Sequence, residues 1–181
     1  MESVEATSPA LAPDRETHKL LFQTLLDEVR QIADLYKREY RETTDRLDNK
    51  LASCISALIA RIHIVDGDPF FRMSFARNVS DILNATNMLS SSRGKRDLIE
   101  RLMAEGDPFK WAHFESGCER FVNKVIDSTG RLDAADANHV LDALLRSLEN
   151  SDRVNRYDLT FELSRRVRDA KAGSARRAAT R

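Results

Sequence analysis

Turn-forming residues are scarce in this chain. Its 181 residues include 6 glycines and 4 prolines, too few for a β-sandwich or barrel built on many tight turns. Cysteine is scarcer still: Cys54 and Cys118 lie 64 positions apart without a CxxC partner. That fits reduced thiols packed as small apolar groups, and nothing in the spacing argues for a disulfide between them. Net charge is absent, with 29 Lys+Arg against 29 Asp+Glu, which excludes a strongly basic nucleic-acid binder as a description of the whole chain. The longest apolar stretch, Leu51 to Val65, is interrupted by Arg61 and His63 and falls short of the roughly 20 residues of a membrane span. The acidic start, Met1 to Glu5, has no apolar core of a secretory signal. A cytoplasmic protein that does not engage a membrane is therefore expected.

Chemistry-bearing motifs are missing as well. Neither G-x-G-x-x-G nor G-x-x-x-x-G-K-[ST] occurs. His18, His63, His113 and His139 form no i, i+4 ligand pair. The loop Asp127 to Asp136 resembles a calcium loop only superficially, because aligning Gly130 with the sixth position puts Val125 where a carboxylate must ligate. No enzyme, metal, cofactor or small-molecule substrate is expected.

Charge and helical periodicity are abundant. Charged residues make up 32% and apolar residues 41% of the chain, against about 25% charged in an ordinary soluble domain; with no net charge, disorder throughout is not expected. Residues 1–13, with Pro9 and Pro13, show no periodicity and are expected to form a flexible tail. From Asp14 to Asp66 there is no glycine or proline. Phe22, Leu25, Val29, Ile32 and Tyr36 alternate steps of three and four, a heptad seam. The apolar positions from Tyr40 to Val65 continue at a plain helical step after a slip near Thr43 and Thr44. The charged stretch Lys37 to Lys50 offers little to a core, and Thr44 suits the cap of a second helix. The absence of glycine and proline favours one rod over residues 14–66, about 75 Å long. Such a rod outreaches a domain made from the remaining residues, whose radius of gyration is about 13 Å.

Two similar segments follow. Gly67-Asp68-Pro69-Phe70 and Gly106-Asp107-Pro108-Phe109 are 39 residues apart, and Phe75 and Asn84 match Phe114 and Asn123 in the same register. Glycine past a helix end, aspartate at an N-cap and proline at the first helical position explain the device physically. Each segment then reaches a Ser/Thr-Gly turn, Ser91 to Gly94 and Ser128 to Gly130, before a Leu-rich helix. The pattern predicts two helical hairpins with apolar faces that include Phe71, Val79 and Ile82, then Leu98 and Leu102, then Trp111, Phe121 and Val125, then Val140, Leu144 and Leu148. Two units fall short of the three that a stable solenoid needs, so a compact bundle over residues 67–170 is expected. Tyr157 to Leu163 alternates like a strand, but a lone strand would leave its backbone groups unpaired, so one helix from Asp152 to Ala170 is predicted, followed by a loose basic tail over residues 171–181.

The expected fold is thus all-α: a long, coiled-coil-like N-terminal helix, two hairpins and a C-terminal helix. The expected function is a non-catalytic interaction or scaffold protein. Phe22, Leu25, Val29, Ile32 and Tyr36 would pair with a second copy or with another helical protein, since an uncovered apolar seam forfeits about 25 cal/mol per Å². The alternative is a nucleic-acid-associated protein. Residues 162–181 hold seven cations and two acids, and Arg165, Arg166, Arg168, Lys171, Arg176 and Arg177 would contact phosphates.

Overall fold

In a computed structural model the described residues are 15–38, 44–62, 69–106, 109 and 115–179, and all regular structure among them is helical. The helices are α1 (Arg15–Arg38), α2 (Thr44–Ile62), α3 (Pro69–Thr86), α4 (Ser92–Gly106), α5 (Glu115–Thr129), α6 (Ala134–Glu149), α7 (Asp152–Arg156) and α8 (Thr160–Ala179). The single rod expected over residues 14–66 is not what the described residues form. It divides into α1 and α2, which pack along one another. The physical reason lies in the charged stretch between them: a segment that brings little apolar surface gains nothing from continuing a helix, whereas folding back buries both stripes. Phe22, Leu26, Val29 and Ile32 on α1 and Leu51, Ile55, Leu58 and Ile59 on α2 are buried in the common core.

The packing order is that of stacked repeats. α1, α3 and α5 are neighbours in one layer, and α2, α4 and α6 are neighbours in the other. Polar contacts between successive hairpins span 36 to 51 residues in sequence, while the sums of their partner numbers vary more widely. The Ser90 amide donates to Asp48, 42 residues back, at 3.0 Å. Asn87 Nδ2 donates to Ser128 Oγ, 41 residues on, at 3.0 Å. The Asp133 amide donates to Ser92 Oγ at 2.9 Å, again 41 residues apart. A two-fold relation would keep the sum of partner numbers constant; a translation keeps the difference. The difference is the better kept of the two, so the hairpins stack in parallel, each touching its neighbours, as in a short α-solenoid. The third hairpin that the sequence reading lacks is α1–α2 itself.

Local chemistry explains the joints. Ser91 caps α4, its Oγ accepting from the Gly94 amide at 3.1 Å, so Gly94 belongs to the first helical turn and not to a loop. Asp133 precedes α6 in extended conformation (φ −63°, ψ 154°), and Asp136 in the first turn complements the helix dipole. The strand-like alternation of residues 157–163 hides a helix end. The Leu159 amide donates to the Val154 carbonyl at 3.2 Å, the Asp158 amide to Asn155 at 3.0 Å, and Asp158 sits at φ 55°. This left-handed closure ends α7 before α8 begins, so the one predicted helix is two. α8 in turn runs on through Ala179, where a loose tail was expected from residue 171. It packs on α6 and α5 and buries Leu163 and Val167. The expected flexible tail at residues 1–13 and the side chains of Phe71, Phe75, Trp111 and Phe114 lie outside the described residues.

Two substitutions test these joints. Asp158→Gly relieves the left-handed conformation and is expected to raise stability by about 0.5–1 kcal/mol. Gly173→Ala places a methyl group within α8 where nothing lies within 4 Å, and is expected to raise stability by about 0.5–1 kcal/mol. Chemical denaturation of each variant against the parent chain measures both; a loss of stability in either would contradict the assigned backbone conformation.

Candidate interaction surfaces

The five residues of the predicted seam divide on inspection. Phe22, Val29 and Ile32 face inward at 1–3% exposure, Leu25 is half-buried against the same core, and the side chain of Tyr36 lies outside the described residues. Phe22, Val29 and Ile32 are therefore covered within the chain, where α1 packs against α2 and α3. Polar contacts fasten its flanks. Arg30 donates to Asp81 Oδ2 on α3 from Nε at 3.0 Å and from Nη2 at 2.7 Å. Lys50 on α2 pairs with Glu28 at 2.7 Å. This pairing holds the Glu28 carboxyl below its usual range and raises Lys50, while burial, seconded by Glu28, pushes up the thiol of Cys54.

What α1 does expose is a different row. Leu20 is 69% exposed, Leu21 and Leu35 about 40%, and Glu16, Asp27, Gln31 and Asp34 are exposed beside them. At 100° per residue Glu16, Leu20, Asp27, Gln31 and Asp34 share one outward face. Sequence reasoning missed this face because its leucines are sparse and interrupted by acids, and so give no periodic signal.

The predicted phosphate-binding cations are also divided. Arg166 on α8 pairs with Glu162 and, at 3.4 Å, with Glu119 on α5. Arg168 pairs with Glu149 at 3.3 Å and Lys171 with Asp142. Glu162 stands one turn before Arg166 on α8 itself, but Glu119, Glu149 and Asp142 come from α5 and α6, distant in sequence, so local spacing could not reveal them. Arg165 is exposed and forms no ion pair among the described residues; Arg176 is exposed, and the side chain of Arg177 lies outside them. Phe161, 78% exposed, stands one turn before Arg165 on the same outward face.

Two further polar regions belong to the architecture. A cleft of about 320 Å³ between α1 and α3 is lined by Val29, Ala33, Asp34, Asn84 and Met88, with the Arg30–Asp81 pair forming part of its wall. At the edge where the turns gather, Ser92 Oγ donates to Asp136 at 2.6 Å, Arg96 donates to Asp136 at 2.9 Å, and Lys95 donates to the Arg131 carbonyl at 3.2 Å. Burial and the nearby Arg131 charge lower the pKa of Lys95. These contacts tie one hairpin to the next. No group of three or more His, Cys, Asp or Glu side chains among the described residues is placed to hold a metal ion, and no described helix is long and apolar enough to cross a membrane.

No protein-family model matches this chain, and no curated protein or solved structure shows significant similarity to it.

The division of α1 into an inner and an outer face is open to a direct check. Ile32→Ala, at a site only 2% exposed, is expected to cost about 2–5 kcal/mol, whereas Leu20→Ala should change stability by less than about 0.5 kcal/mol. Equal effects in thermal or urea denaturation would contradict the assignment.

Proposed function

We propose that this chain is a non-catalytic helical interaction module that works through the outward face of α1, self-associating or pairing with a helix of another protein. The supporting observation is the exposure of Leu20 on the outward face and of Leu35 at its edge, on the first helix of the stack. In stacked repeats each unit buries the apolar side of its neighbour, and a terminal unit needs a polar outer face to remain soluble alone. α8 lies across the other end of the stack, whereas the outer face of α1 keeps its leucines beside acids. The seam formed by Phe22, Val29 and Ile32 has no part in this reading, since the chain covers it.

The nucleic-acid reading draws on fewer cations than the sequence suggests, because Arg166, Arg168 and Lys171 are held by acids. Those exposed pairs would compete with phosphate, and Arg176 also keeps a contact of its own, so binding through α8 would be weakened.

Light scattering behind size exclusion measures the first reading. The full-length chain is expected to run as an oligomer, and the double variant Leu20→Asp with Leu35→Asp as a folded monomer with an unchanged far-ultraviolet circular dichroism spectrum. A parent chain that is monomeric across the micromolar range sinks the self-association version.

A further inference from the structure

We infer that the outward face of α8 is the docking surface for α1 of a second copy, so that copies join end to end. This rests on the self-association reading above and adds to it the second half of the contact. The two outer faces carry opposite charge. On α1 the outward row presents Glu16, Asp27 and Asp34, and its flanking cations Lys19 and Arg30 are half-buried to the side. On α8 the outward row presents Arg165, Arg168 and Arg176, with Asp169 as its acid. Each face also holds exposed apolar side chains: Leu20 and Leu35 on α1, Phe161 on α8.

The spacing agrees. Glu16 and Asp27 are eleven residues apart, as are Arg165 and Arg176; eleven residues make close to three helical turns, so each pair lies in one row about 16 Å long. Laid antiparallel, α1 of one copy sets Glu16 against Arg176 and Asp27 against Arg165 of the next. In that register Leu20 meets Ala172, and Phe161 falls beside Gln31 within one turn of Leu35. A parallel register would also match the charges, but it would set Phe161 opposite residue 12, outside the described residues and away from Leu20 and Leu35. The antiparallel register alone uses both charge and apolar surface.

The existing contacts do not oppose this. Glu16 pairs with Lys19 and Asp27 with Arg30 on their own helix, and exposed pairs of this kind are weak and exchange partners readily. Arg165 forms no ion pair among the described residues, and Arg176, exposed, keeps a contact of its own that would have to be exchanged in the same way. The contact is heterologous: each copy offers one α1 face and one α8 face, so it propagates into chains or closes into rings. Association should accordingly grow with concentration and weaken with salt.

Sedimentation velocity of the full-length chain over a range of concentrations provides the test, with Asp27→Arg, Arg165→Asp and Phe161→Ser as variants at exposed positions. Each charge reversal alone is expected to weaken association about tenfold or more, and Phe161→Ser to weaken it as well. Mixing Asp27→Arg with Arg165→Asp should restore complexes, because each variant then meets a complementary face on the other. If Arg165→Asp leaves the oligomer intact while Leu20→Asp with Leu35→Asp dissolves it, α1 pairs with its own counterpart; the end-to-end contact is then overturned while the interaction reading stands. A parent chain that is monomeric at every concentration overturns both. A monomer that binds a single-stranded RNA oligonucleotide and loses that binding in Arg165→Asp assigns α8 to nucleic acid and also overturns the proposal.

Discussion

The burial of the α1 stripe against α2 and α3 is the contact on which the rest depends. Phe22, Leu26, Val29 and Ile32 are each at most 3% exposed, and the side chains they meet on α2 are equally covered. Without that burial α1 would be an isolated helix, and isolated helices draw too little from their own hydrogen bonds to persist in water. With it, the first helical run becomes a hairpin of the same kind as the two that follow, and three units share one continuous core. The consequence reaches function. A seam of this strength on an unbroken rod would call for an outside partner, but within a hairpin it is satisfied by the chain itself.

The helices, their faces and several of their ends are legible in the sequence, because these depend on neighbours in the chain. Val79, Ile82, Leu98, Leu102, Phe121, Val125, Val140, Leu144 and Leu148 occupy the core that their spacing predicts. The division between Arg38 and Thr44 was harder to read. Two signals competed there: the lack of glycine and proline, which permits a continuous helix, and the charged composition of Lys37 to Lys50, which gives it nothing to bury. The second prevailed, because permission is not a driving force. The alternation at Tyr157 to Leu163 misleads for another reason. A helix end closed by a left-handed residue displaces the apolar positions by one or two, and over seven residues the displaced pattern imitates a strand.

What local spacing cannot show is which charges are already used. Arg166, Arg168 and Lys171 read as a basic cluster because their acids, Glu119, Glu149 and Asp142, arrive from helices 19 to 47 residues away. The same limit hides the stacking itself. That Ser92 serves Asp133 and Asp136, and that Ser90 serves Asp48, follows only once the hairpins are placed side by side. Repetition at 39 residues is visible in Gly67-Asp68-Pro69-Phe70 and its counterpart, but the first hairpin shares none of that device, so nothing in the sequence marks it as a third unit.

The two ends of the stack differ in how they meet solvent, and the difference follows from composition. At the α8 end the inward row, Leu163, Ser164, Val167 and Ser174, is small or apolar and lies against α6 and α5, while the outward row is mainly arginine and alanine with Phe161 as its one large apolar member. Such a face is soluble by charge, since long cationic side chains keep their heads in water while their stems lie over the helix. At the α1 end the outward row mixes leucine with carboxylates too short to cover it. A leucine 69% exposed on an otherwise well-packed helix gains from any surface that supplies apolar cover without stranding the acids beside it, and an arginine-rich helix with one protruding phenylalanine supplies both. The chain thus carries, at its opposite ends, two faces whose individual deficits each other's side chains would correct.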